Sequence, residues 1–139
     1  MASSQQHRLA SERILTLQAI GALCLARLLV AVVPLRLWRA SLGLASGRQL
    51  DNGARFLVGR VERAAQRLPF GTRCLPRAVA LSWMLRRRNI SHALVIAVRP
   101  VSMRTGADAL HAWIEADGAI LLGALPGPWH TIYRTGEAS

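Results

Sequence analysis

Apolar residues recur at helical spacing through the first two thirds of the chain, then give way to short unbroken apolar runs. The pattern predicts helices first and strands afterwards. Residues 14–33 are strongly apolar, interrupted mainly by Gln18 and Arg27, and predict a first helix over about 11–33. Residues 1–10 are mostly polar and are expected to form a flexible N-terminus. Pro34 suits the first turn of a second, short helix carrying Leu35, Leu37 and Trp38, with Gly43 as its stop. After a turn-rich connection over 46–53, Asp51 or Asn52 can cap a helix over 54–68, in which Leu57, Val61, Ala64, Ala65 and Leu68 share one face. Arg60, Arg63 and Arg67 share another, read as a solvated face. Pro69 and Gly71 end that helix. The next runs over about 74–88, because Pro76 is tolerated only in a first turn. Ala78, Leu81 and Leu85 point into its core, and Arg86, Arg87 and Arg88 close it where positive charge suits the helix dipole.

The period then changes. Residues 93–98 form a continuous apolar run, read as a buried strand, and 101–109 read as a loop. Residues 110–115 and 119–122 flank Ala116-Asp117-Gly118, a hairpin turn signal. Residues 129–133 predict a last edge strand after Pro126-Gly127-Pro128. The architecture expected is α+β: N-terminal helices followed by a small antiparallel sheet, one domain over 11–133, and a flexible tail over 134–139.

Composition narrows the function. The chain has 139 residues, 52% of them apolar, the size and content of one globular domain. Its net charge is +11 and every basic side chain is arginine, which suits an acidic partner: nucleic acid, an anionic membrane surface or an acidic peptide. The arginines are spread out and no aromatic-basic repeat of the RNA-binding kind occurs, which argues against nucleic acid. Two cysteines, Cys24 and Cys74, make a disulfide framework improbable and fit a reducing cytoplasm. No metal-ligand spacing is present, and His7, His92, His111 and His130 are far apart in sequence. As a helix, residues 14–33 would span roughly 30 Å, enough to cross a bilayer. Arg27 well inside the run would cost about 2.5–3.5 kcal/mol near a membrane centre. A buried amphipathic core helix is therefore the preferred reading, with membrane association as its rival.

Cys74 and His111 carry the candidate chemistry. Cys74 heads a helix, where the partial positive charge favours thiolate over thiol. His111 opens a strand, from which an imidazole can take the thiol proton and later return it to a leaving amine. Cys24 reads as a small apolar helix residue, His92 and His130 as surface or turn histidines, and Trp113, on the strand face of His111, as core or as a wall of the site. A cysteine heading a core helix, then a histidine on the first arm of a hairpin, is the order of the papain-like and transglutaminase-like fold. The blocks Cys74-Leu75-Pro76-Arg77-Ala78-Val79-Ala80-Leu81 and Leu110-His111-Ala112-Trp113-Ile114-Glu115-Ala116-Asp117-Gly118, with Val33-Pro34-Leu35-Arg36 upstream, resemble the lasso-peptide leader peptidases, over roughly residues 14–133. That family is related to the C-terminal domain of the microcin-processing maturation protease.

The resemblance implies a cytoplasmic cysteine peptidase that removes the leader from a ribosomally made precursor peptide. Cys74 would be the nucleophile and His111 the base and acid. It implies no metal or other cofactor, and three partners: the precursor leader, a separate leader-binding recognition protein supplied in trans, and an ATP-dependent lasso cyclase. The family's triad places an acid about a dozen residues after the histidine. A two-residue turn at Asp117-Gly118 would set residue 111 opposite residue 124, so the neighbours of His111 would be Gly123 and Ala124, neither of them acidic. Glu115 and Asp117 lie roughly 13 and 20 Å along the strand, and Asp108 serves only if its loop folds back. Either a carbonyl, an amide or a distant acid orients the imidazole, or the register differs. Two other functions are compatible with the same residues: a non-catalytic basic peptide-binding or membrane-associated scaffold, and an acyl transferase.

Overall fold

The computed structural model describes residues 2–68, 73–103, 109–123 and 127–135. Four helices, α1 (Ala2–Val32), α2 (Leu35–Trp38), α3 (Asn52–Arg67) and α4 (Cys74–Arg87), precede four strands, β1 (Ala93–Val98), β2 (Leu110–Ala116), β3 (Ala119–Leu122) and β4 (His130–Arg134). The strands form one antiparallel sheet in the order β3-β2-β1-β4, so β4 is an edge strand. Helix α4 packs on β2 and β1, and α1 and α3 pack on α4 and on each other. The core lies between these layers, with Leu23, Leu57, Val61, Leu81, Leu85, Leu94 and Ile114 fully buried.

Local chemistry accounts for the element ends. Asp51 caps α3, its Oδ1 accepting from the Ala54 N–H at 2.8 Å. Asn89 adopts the left-handed conformation just past α4, and the Ile90 N–H returns to the Leu85 carbonyl, which turns the chain into β1. Asp117 and Gly118 both have positive φ, 50° and 76°, as a type I′ hairpin turn requires. Gly43 is needed for another reason: with φ 72°, a Cβ there would lie 2.2 Å from Thr135 Oγ1.

Several expectations are corrected by the structure. Helix α1 begins at Ala2, so residues 2–10, all exposed, are helical and extend the helix expected over 11–33. It also buries only one narrow stripe, Ala19, Leu23 and Ala26, and leaves Leu17, Leu28 and Val32 more than half exposed; it is not the buried helix that its apolarity suggested. Arg60 leaves the solvated face of α3 to pair with Glu12 at 3.2 Å, holding α3 to α1. Arg86 donates to the Ala40 and Gly43 carbonyls and anchors the loop after α2. Arg134 and Thr135 are part of the fold: Thr135 bonds Leu94 through both its N–H and its Oγ1.

The hairpin register departs from a regular ladder. Ala116 faces Ala119 and Glu115 faces Ile120, but Ile114 faces Leu122, so a bulge shifts the pairing by one residue toward the start of β2. The described ladder ends at Ile114 and Leu122, already one residue out of step with the continuous two-residue hairpin that would set His111 opposite residue 124, a position outside the described residues.

Candidate active site

Cys74 is the first residue of α4, and Pro76 sits in its first turn. Pro76 has no N–H, and the Arg77 N–H already returns to the Arg73 carbonyl. The backbone donors left at this helix mouth are those of Cys74 and Leu75. Cys74 itself is half-buried and packs against the core between helices and sheet. Arg73 and Arg77 flank it in the sequence, and the described first turn contains no acidic residue.

His111 is the second residue of β2 and is buried. It pairs with Ala97 near the end of β1. Because α4 turns back into β1 through a short connection, the start of α4 and the start of β2 lie at the same end of the sheet. The fold thus brings Cys74 and His111 to one end of the molecule. It does not join them: no hydrogen bond links the thiol and the ring among the described residues. Strand alternation shows why. Ala112 and Ile114 face the helices with Leu94 and Ile96, whereas Trp113 clusters with Val95, Ala97 and Trp129 on the other face. His111 shares the face of Trp113.

The imidazole is nevertheless closely held. Its Nε2 donates to the Gly123 carbonyl. A carbonyl only accepts, so the proton sits on Nε2, and Nδ1 is the nitrogen left with a lone pair. Gly123 stands 12 residues after His111, the interval at which the resemblance called for an acid; there the ring meets a main-chain carbonyl. Gly123 has φ 87°, and a Cβ there would lie 2.8 Å from the Ala112 carbonyl and 3.4 Å from His111 Nε2. The ring stacks on Trp129, with centroids 5.4 Å apart, and lies 6.0 Å from Trp113. Arg99 in turn covers Trp129 at 4.3 Å.

Two of the three carboxylates considered for the triad, Glu115 and Asp117, are committed elsewhere. Glu115 accepts from Trp113 Nε1 at 2.8 Å and pairs with Arg134 at 2.6 Å. Burial pushes its carboxyl up, but the hydrogen bonds from Trp113 and Arg134 and the charge of Arg134 outweigh that and hold it below the usual range. Asp117, in the hairpin turn, accepts from the Leu50 N–H in the connection before α3. Asp108 and Ala124 lie outside the described residues. Among the described residues no cluster of His, Cys, Asp and Glu could hold a metal ion.

His130 opens β4 and is exposed, and Cys24 is exposed on α1. His92 is the histidine that sequence reasoning placed wrongly. It is buried, its Nδ1 donating to the Ile90 carbonyl at 2.8 Å and its Nε2 meeting Ser82 Oγ at 2.8 Å. Ser82, fully buried on α4, also accepts from the Gly43 N–H at 2.8 Å. Burial, opposed by the Ile90 hydrogen bond and aided by the charge of Arg86, lowers the His92 pKa. The only signal for this cluster in the sequence was the polar Ser82 inside the apolar run of α4.

The chain has no match among curated proteins or solved structures. A family model described as transglutaminase-like superfamily matches residues 20–133, well over half of the chain and including α4, β1 to β3, most of β4, Cys74 and His111. The superfamily includes cysteine peptidases, and the helix-then-sheet order with a cysteine heading the central helix and a histidine entering the second strand is accounted for by the conclusion that this chain belongs to the transglutaminase-like superfamily.

Proposed function

We propose that the protein is a cysteine peptidase that removes the leader from a ribosomally made lasso-peptide precursor. Cys74 acts as nucleophile and His111 as base and then acid. The observation that carries this reading is the state of His111: the Gly123 carbonyl holds the proton on Nε2, so Nδ1 can take a proton from a thiol. The Cys74 and Leu75 N–H groups at the helix mouth would receive the oxyanion as the thiolate adds to the scissile carbonyl. The imidazolium would return its proton to the leaving amine, and water would release the acyl group. The reading further requires Nδ1 and the thiol to be brought together when a peptide enters, by a shift of β2 against α4 that keeps Nε2 on the Gly123 carbonyl. The leader would be delivered by a separate recognition protein, whose tethering raises its effective concentration at Cys74 to roughly the millimolar range. An ATP-dependent cyclase would consume the freed core peptide.

The test uses the purified chain, its precursor peptide and mass spectrometry of the products, with and without the recognition protein. Cleavage at the leader–core junction that accelerates with the recognition protein supports the proposal; equal rates in both mixtures would show that the peptidase reads the leader by itself. A glutamine-derived amide in place of two peptides would identify an acyl transferase.

One observation favours a second reading, a peptide-binding scaffold without turnover: the ring and the thiol are not hydrogen-bonded, and His111 is on the sheet face turned from α4. Iodoacetamide separates the two, because in a scaffold Cys74 would alkylate no faster than free cysteine, whereas an activated thiol would react faster in a His111-dependent way.

A further inference from the structure

Helix α1 is apolar on two opposite sides. At 3.6 residues per turn, Ala19, Leu23 and Ala26 fall on the side packed against α3 and α4, and Ile14, Leu17, Leu25, Leu28 and Val32 fall on the other. All five of the latter are more than half exposed, Leu17 at 67% and Val32 at 68%. The exposed stripe is about 27 Å long, and no charged residue falls on its line. Leu37 on the following short helix α2 is a further exposed apolar side chain, 69% exposed. A run of this size on a soluble face is a binding surface or a liability.

We infer that this face lies in the interface of an anionic membrane, with α1 parallel to the surface. Charge selects the occupant. The chain carries +11, and exposed Arg13, Arg36 and Arg39 flank the two ends of the stripe. Beside its middle, a groove of about 450 Å³ between α1 and α4 has Leu25 and Trp83 on its walls and exposed Arg87 and Arg88 on its rim. Apolar side chains bordered by arginines match acyl chains beneath anionic headgroups. A second copy of the chain fits less well, since it would bring two bodies of charge +11 together along this arginine-bordered face. The helix is long and apolar enough to span a bilayer, but spanning would strip its other side from α3 and α4 and break the Arg60–Glu12 pair. Lying flat keeps the whole core intact.

The full chain is tested by flotation with vesicles of phosphatidylcholine alone and with about a third phosphatidylglycerol. Flotation with the anionic vesicles, weakening as salt rises, is the expected result. Leu17→Glu/Leu28→Glu should cut it about tenfold or more, since both side chains leave the acyl region. Both positions are exposed, so helix content by circular dichroism should be unchanged. Arg87→Gln/Arg88→Gln, an independent variant that spares the apolar stripe, should reduce flotation several-fold and flatten its salt dependence. Absence of flotation, or flotation indifferent to both variants, overturns the inference. So does self-association in sedimentation velocity that Leu17→Glu/Leu28→Glu abolishes, which would assign the face to a second copy. Resistance of the membrane-bound chain to carbonate extraction would overturn the flat orientation in favour of a spanning helix.

Discussion

His92 and His111 are both buried, lie at opposite ends of the β1–β2 pair and are held in opposite ways. His92 has both ring nitrogens engaged, by the Ile90 carbonyl and the Ser82 hydroxyl, so it has no lone pair to offer and its role is to satisfy Ser82 and the loop at Gly43. His111 has one nitrogen fixed on the Gly123 carbonyl and an aromatic platform of Trp113 and Trp129 around the ring, which orients the imidazole and leaves Nδ1 available. Burial alone therefore does not separate a structural histidine from a candidate base. The count of committed ring nitrogens does.

The sharpest way to break this comparison is to remove each pair of partners in turn. Cys74→Ala and His111→Ala should each lower leader cleavage by at least about 10³-fold with unchanged circular dichroism; near-native turnover by Cys74→Ala would end the peptidase reading. Cys24→Ser, on the exposed side of α1, should keep its activity. His92→Ala should do the reverse. It leaves Ser82 short of a partner and opens a cavity, so denaturation midpoints should report a loss of about 2–4 kcal/mol, while turnover per folded molecule stays close to the parent's. A large loss of turnover in folded His92→Ala would make the buried cluster part of the site.

The pH response gives a smaller effect. A histidine whose folded pKa is lowered binds its proton more readily when unfolded. Stability from His92 is then fully present above the ordinary imidazole value of about 6.5 and is lost as pH falls below it. Urea titrations of the parent should show that acid-side decline, and His92→Gln should lack it; equal slopes would mean that another group titrates. The smallest change is expected from the carboxylates. Glu115→Gln, Asp117→Asn and Asp108→Asn should each lower turnover far less than His111→Ala, because a carbonyl already holds Nε2. Glu115→Gln should shift stability by only about 0–1 kcal/mol, since the Arg134 pair is partly solvated. A folded carboxylate mutant as slow as His111→Ala would identify a missing triad acid.

The order of elements, most of their limits, the Asp117–Gly118 turn and the position of Cys74 at a helix mouth were all legible in the sequence, because periodicity, proline and turn chemistry act over a few residues. Periodicity also put His111 and Trp113 on one strand face. It could not say which face, because the alternate positions of β2, Ala112 and Ile114 against Trp113, are apolar on both sides. That choice depends on where α4 packs. The burial of His92 needed Ser82, 10 residues before it, and Gly43, a further 39 residues before Ser82. The bulge that resets the hairpin, the Gly123 carbonyl in the place of an acid, the withdrawal of Arg60 from solvent and the exposure of half of α1 likewise depend on contacts between distant segments. A local pattern specifies what an element is and which residues share its faces; only packing decides what each face meets.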